Sequence, residues 1–221
     1  EKTSSSLSGI HFGHYKSAAY SPLLSDFFAR KITLIARCGC PPECWGHGLQ
    51  VLLEKMAGVA LVSKLRAILL MEGDFNYMNK WVFGHEPINK LYSLGYIPGD
   101  QYSQKESTAE DARMDNRLTM DISRQLKQPL ATMAADADKC YDRINHIIMS
   151  FFLLAMIGTI GPVVAMLHPI QAMKFFQRTA RRDSTTFMGG QDKDNPLQGL
   201  CQGNRAAPAC WLMISLLLMH C

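Results

Sequence analysis

The sequence predicts a mixed α/β fold of the α+β kind, rich in helix, for a chain of 221 residues. Three observations lead there. Apolar residues recur at helical spacing in some stretches, as in Met114, Leu118 and Ile122. Short apolar runs bounded by turn residues, such as Leu130–Ala135, have the length of strands. With 48% hydrophobic and 19% charged residues, the chain has enough apolar material for a sizeable core. The two kinds of segment follow one another without a regular repeat, which is the order of a mixed architecture.

Taken in order, residues 1–20 are rich in Ser and His and show no clear period, and residues 38–48 form a Cys/Pro/Gly loop. Residues 50–58 read as the end of a short helix closed by Gly58. Residues 59–71 are apolar except for Ser63-Lys64-Leu65-Arg66, which predicts strand, turn or short helix, then strand, with a basic pair between. Residues 86–105 carry Pro87, Gly95, Pro98 and Gly99 and are expected to be loop. Ser107 and Glu110 stand at capping-box spacing, where each side chain satisfies the other residue's free N–H. The helix they open carries Met114, Leu118, Ile122 and Leu126 on one face and stops at Pro129. Leu130–Ala135 then reads as a buried strand bounded by Asp136, and Tyr141, Ile144, Ile148 and Phe151 repeat as a helix. Further expectations are a helix over about 162–180, a strand over Ser184–Met188, a Gly/Asp/Pro loop and a last helix from about 205.

Charge and cysteines narrow the class. A net charge of +4 suits a nucleic-acid partner without identifying one. Seven cysteines, an odd number at uneven spacing behind a polar N-terminus, predict reduced thiols in an intracellular rather than secreted protein. Cys38, Cys40, Cys44 and His47 lie in one segment, whereas structural zinc draws paired ligands from two, so they predict a cysteine-rich loop. Residues 151–170 have the length of a membrane span, but Gly158, Gly161, Pro162, His168 and Pro169 interrupt them, which predicts two buried helices instead.

Three segments carry chemistry. Asp136-Ala-Asp138-Lys-Cys-Tyr141-Asp142 puts a carboxylate at a strand end, a place to hold a divalent cation, or else is a solvated loop. Gly199-Leu-Cys-Gln202-Gly203-Asn204 opens a helix, where backbone N–H groups can approach a phosphate or base, though such loops are common. Lys64 and Arg66, followed by Glu72-Gly-Asp74-Phe-Asn76-Tyr-Met-Asn79-Lys80, could clamp a triphosphate or be ordinary surface charge.

Together and in this order the segments resemble the reverse transcriptase domain of non-LTR-type retroelements of fungal and protist type. Asp136 to His146 is similar to the family's first palm motif, Asp-Ala-Lys-Ser-Cys-Tyr-Asp-Arg-Ile, and Gly199 to Trp211 to its Gly-Gln-Gly-Asn-Gly-Ala-Gly-Pro-Ala-x-Trp motif. Lys64 to Lys80 resembles its Lys-Leu-Arg-Ala-Ile block, and Ser5 to Lys16 its opening Ser-Gly-Leu-His-Phe-Gly-His-Tyr-Lys.

The resemblance implies an incomplete right-hand polymerase, fingers plus partial palm, with 1–128 as N-terminal extension and fingers and 129–221 as partial palm. It implies Asp136 as the catalytic and metal-binding aspartate, with the backbone carbonyl of Ala137 as a second Mg²⁺ ligand. Tyr141 would lie under the nucleotide sugar and discriminate against a 2′-hydroxyl. Lys64 and Arg66 would contact the triphosphate, and Gln202 and Gly203 would sit beside the incoming nucleotide and the template. Asp138 and Asp142 are not the motif's metal aspartate. The expected partners are an RNA template, a DNA primer and dNTPs, with no membrane. The expected location is intracellular, the nucleus included. The chemistry would be two-metal nucleotidyl transfer, in which one ion activates the primer 3′-hydroxyl and the other neutralises pyrophosphate.

Departures matter. The family's later aromatic-x-Asp-Asp motif has no counterpart, because no two aspartates are adjacent anywhere in the sequence. The chain by itself is therefore expected not to polymerise. Arg205 replaces a small residue, Leu7 stands for proline, and Gln104-Lys105-Glu106 for a more basic stretch. Alternative readings are a non-catalytic nucleic-acid-binding remnant, using the basic and aromatic Lys174–Arg182, and a helical membrane or scaffold protein.

Overall fold

A computed structural model describes residues 6–59, 61, 64–102, 107–132, 137, 139–190 and 199–220. They fall into two compact units, one drawn from Glu1–Ile88 and Cys140–Cys221, the other from Asn89–Lys139.

The first unit opens with α1 (Phe12–Ala18) and α2 (Pro22–Cys38). Two histidines cap α1: His11 accepts from the Gly13 N–H, and His14 accepts from the His11 N–H. Pro22 begins α2, where its missing donor costs nothing, and Gly39 at φ 65° ends it. A 3₁₀ turn, Glu43–Gly46, buries Trp45 completely. The hairpin of β1 (His47–Glu54) and β2 (Leu65–Leu70) leads into α3 (Gly73–Met78), a π-helical stretch Asn79–His85, and α4 (Glu86–Ser93).

The second unit holds the end of α4 and α5 (Ala109–Gln125). Within it Tyr102 donates to Asp115. The chain then returns to the first unit through a 3₁₀ turn, Cys140–Arg143, followed by α6 (His146–Ile157), α7 (Ile160–Gln171), β3 (Lys174–Arg178), β4 (Asp183–Gly189) and α8 (Ala207–His220).

The class is mixed α/β, and the sheet is mixed as well, in the order β2-β1-β3-β4. β1 pairs parallel with β3, from His47 opposite Lys174 to Val51 opposite Arg178, while β1–β2 and β3–β4 are antiparallel. Thus strands on either side of residue 128 share one sheet. α2 lies against α7 so closely that a Cβ on Gly161 would strike the carbonyls of Ala36 and Arg37. The core gathers Trp45, Leu49, Phe75, Met166, Ile170 and Met213, all fully buried.

Several local expectations are corrected. Residues 50–54 are strand, because Leu49–Glu54 pairs with β2 along its whole length. Residues 86–93 are helix rather than loop, since Pro87 falls in the first turn of α4, where proline is tolerated. Thr108 and Asp111, one residue later than expected, form the capping box of α5, and the helix ends at Gln125, before Pro129. The helix expected to 180 ends at Gln171, and 174–178 is a strand held by two neighbours. α6 buries Met149 and Leu153, leaving Ile148 and Phe151 exposed. Leu130 is exposed, and the rest of the expected strand over 133–135 lies outside the described residues, as do Gln104–Glu106.

The apolar stretch 151–170 is broken where Gly158, at φ 79°, ends α6. Among the described residues no helix is long and apolar enough to cross a membrane.

Candidate functional site

β2 is an edge strand, and the Gln-Gly loop runs along its free edge. The Leu69 N–H donates to the Gln202 carbonyl at 2.8 Å. Gly203 sits at φ 120°, and a Cβ there would collide with the Leu69 carbonyl. Glycine is demanded at this point by the approach of two backbones.

Helix α3 holds the same loop from another side. Asn76 Nδ2 donates to the Gly203 carbonyl at 3.3 Å, and Asn76 Oδ1 accepts from the Arg205 N–H at 3.1 Å. Deeper in, Asn79 Nδ2 donates to Asn204 Oδ1 at 3.0 Å. Asn204 Oδ1 also accepts from the Ala206 N–H at 2.9 Å, so it organises the entry to α8.

The start of the loop is tied to the 3₁₀ turn that carries Tyr141. The Leu200 N–H donates to the Tyr141 carbonyl at 2.9 Å. Gly199, at φ 84°, leaves no room for a Cβ beside Tyr141 and Asp142. His146 Nε2 lies 2.6 Å from the Gly199 carbonyl. Tyr141 itself is half-buried, and burial pushes its hydroxyl above the usual tyrosine range, with Cys140 adding to the shift. Burial likewise raises the Cys201 thiol to about 12, which keeps it protonated and unreactive.

The N-terminal block joins from outside. The Ser8 N–H and hydroxyl donate to the Glu72 carboxylate at 3.3 and 2.7 Å. The Tyr15 ring covers Gly73, where a Cβ would stand 2.6 Å from Tyr15 Cε2. The Arg205 guanidinium lies over the Phe12 ring, 4.2 Å from its centroid, a cation–π contact that ties the loop to α1.

Beneath these contacts lies a hub that the sequence did not disclose. Asp74, buried in α3, receives Trp45 Nε1 at 2.9 Å and its neighbour's Phe75 N–H at 2.9 Å on one oxygen, and Lys31 Nζ at 2.5 Å on the other. Lys31, Trp45 and Asp74 come from α2, a 3₁₀ turn and α3, so no spacing in the sequence links them. An open groove of about 210 Å³ lies beside the hub, walled by Phe12, Tyr15, Phe28, Ile32, Asp74 and Tyr77.

Of the expected site residues, Tyr141, Gln202 and Gly203 meet at this loop. Lys64 and Arg66 are exposed at the far end of β2, and Arg66 stands opposite Leu53. At about 3.3 Å of rise per residue they lie roughly 10–16 Å along the strand from Leu69. Asp136 and Asp138 lie outside the described residues; Ala137 is exposed and belongs to the second unit. Among the described residues no three His, Cys, Asp or Glu side chains are grouped to hold a metal, Cys38, Cys40, Cys44 and His47 included. The described cysteines are free thiols. The described residues alone therefore do not constitute a two-metal site. No family model matches the chain, and no curated protein matches it.

Proposed function

We propose that this chain is a piece of a retroelement-type reverse transcriptase domain, carrying fingers and part of the palm of a right-hand polymerase. One observation carries the reading. The four blocks that resemble the family's motifs, 5–16, 64–80, 136–146 and 199–211, are far apart in sequence, yet described residues from all four meet around Gln202 and Gly203. Leu69 and Asn76 hold the loop from the second block, Tyr141 and His146 from the third, and Phe12 lies under Arg205 from the first. Loops that merely happen to contain glycine have no reason to be held by the other three blocks at once. The adjacency supports a shared active-site scaffold.

In this reading Asp136 supplies the first metal ligand for Mg²⁺, and Lys64 and Arg66 face the triphosphate. The paired aspartates belong to a longer protein. RNA template, DNA primer and dNTPs are its substrates, and the chain alone does not extend a primer.

The test is primer extension with Mg²⁺ on this chain and on the protein read through the following coding sequence. The extended protein is expected to contain an aromatic-x-Asp-Asp strand and to synthesise DNA, with activity lost in Asp136→Asn. Extension by the isolated chain, or activity indifferent to that substitution, contradicts the proposal.

A further inference from the structure

The β3–β4 hairpin lies at the opposite edge of the sheet from the Gln202 loop and takes no part in holding it. Its surface has a composition of its own. Phe176 and Phe187 face each other across the two strands, with ring centroids 5.8 Å apart. His47 continues the row on β1, 5.9 Å from Phe176 and edge-on to it. Phe187 is 50% exposed.

Cations border this row. Lys174 Nζ stands 5.4 Å from the Phe187 centroid, and the far more exposed Glu43 carboxylate lies 3.8 Å from it. The hairpin ends in a turn stiffened by Thr179, whose hydroxyl accepts from the Arg181 and Arg182 N–H groups, and both arginines are exposed. Residues 174–189 carry four Lys/Arg against one Asp, and that aspartate is held by Arg178 through two hydrogen bonds. The turn lies about 10 Å from Phe176 at the rise of a strand, a reach that a short single strand covers.

We propose that this face binds single-stranded nucleic acid, stacking bases on Phe187 and Phe176 while Lys174, Arg181 and Arg182 hold phosphates. Flat rings accept any base, and the cations match a phosphate backbone; duplex DNA, with its bases stacked inside, cannot use the rings. A protein partner would have to bury the arginines' charge with acids of its own. The polymerase reading is not needed for this inference, since it stands on the hairpin's own side chains.

The experiment is fluorescence anisotropy of the full chain with labelled oligothymidylate of about a dozen nucleotides, a span within the range of such sites. The matching duplex and sedimentation velocity serve as controls. The parent chain is expected to prefer the single strand. Phe187→Ala is expected to weaken binding about tenfold, and Phe187→Trp to retain it. Arg181→Ala with Arg182→Ala is expected to lower the slope of log affinity against log salt by about 1.4. Exposed Arg113→Ala in α5 is the basic control and is expected to change nothing. Unchanged melting temperature and circular dichroism exclude misfolding of Phe187→Ala. The inference is overturned if the parent binds no oligothymidylate at low salt, if Phe187→Ala binds it as the parent does, or if that variant alters only self-association. The primer-extension test turns on Asp136, so either proposal can fail without the other.

Discussion

Asn76 holds both sides of the Gln-Gly loop, donating to the Gly203 carbonyl and accepting from the Arg205 N–H through one amide. No other residue type of its size offers a donor and an acceptor at that fork. Asn76→Ala leaves both backbone groups to find other partners where the side chain is almost wholly buried. A loss of about 2 kcal/mol is expected in urea unfolding. Tyr77→Ala, next in sequence but half exposed, is expected to cost less. Equal losses would show that the loop is held by its contacts to Leu69 and Tyr141 alone.

The Asp74 hub makes a second expectation. Asp74→Ala strands the Trp45 indole N–H in a fully buried position and removes the anion from Lys31. The expected cost is about 3 kcal/mol, at the lower end for breaking a buried pair because Lys31 reaches water. Lys31→Ala is expected to cost less, since the carboxylate keeps two N–H donors. The Trp45 emission of Asp74→Ala should move to longer wavelength as water reaches the indole. A larger loss in Lys31→Ala than in Asp74→Ala would contradict the arrangement.

What the sequence disclosed follows the range of the forces involved. α5 was legible because its cap and periodicity are local, and β4 because Thr185, Thr186 and Phe187 are of residue types enriched in strands. β1 was hidden: Leu52, Leu53 and Glu54 are good helix formers, and they become strand through pairing with β2, which lies outside any local window. The α7–β3 junction lacks a glycine or proline, so apolar continuity masked it. At the site, the glycines at 199 and 203 were visible, but the reason for them was not. Each answers to a backbone far off in sequence, at Tyr141 and Leu69. Lys31, Trp45 and Asp74 meet only through tertiary folding, so their hub had no signature to read.

Gly203 allows a sharper comparison with Gly58. Both have positive φ, 120° and 80°, but a Cβ on Gly58 meets open space, whereas one on Gly203 meets the Leu69 carbonyl. Gly58→Ala is expected to cost only the conformational term, about 1–2 kcal/mol. Gly203→Ala adds a backbone collision and the loss of the Leu69–Gln202 hydrogen bond, so it is expected to cost at least about 1 kcal/mol more. Denaturation midpoints of the two variants, measured side by side, decide this. Equal midpoints would mean that the loop can leave the edge of β2 freely.

Tyr15 should impose a pH dependence at the alkaline end. Burial, then the charges of Asp74 and Glu72, push its hydroxyl up to about 12, whereas the unfolded chain releases that proton near about 10. The folded state thus holds the proton longer. Its stability is unaffected by this group below about 10 and falls as pH rises from there toward about 12, because the unfolded state ionises first. Tyr102, whose hydroxyl donates to Asp115, is also raised to about 12, so it contributes in the same window from the other unit. The comparison therefore sets Tyr102→Phe against Tyr102→Phe with Tyr15→Phe, following urea unfolding across that range. The double variant is expected to lose stability less steeply with pH. Parallel profiles would mean that Tyr15 is open to water and that the N-terminal block does not cover Gly73 in solution.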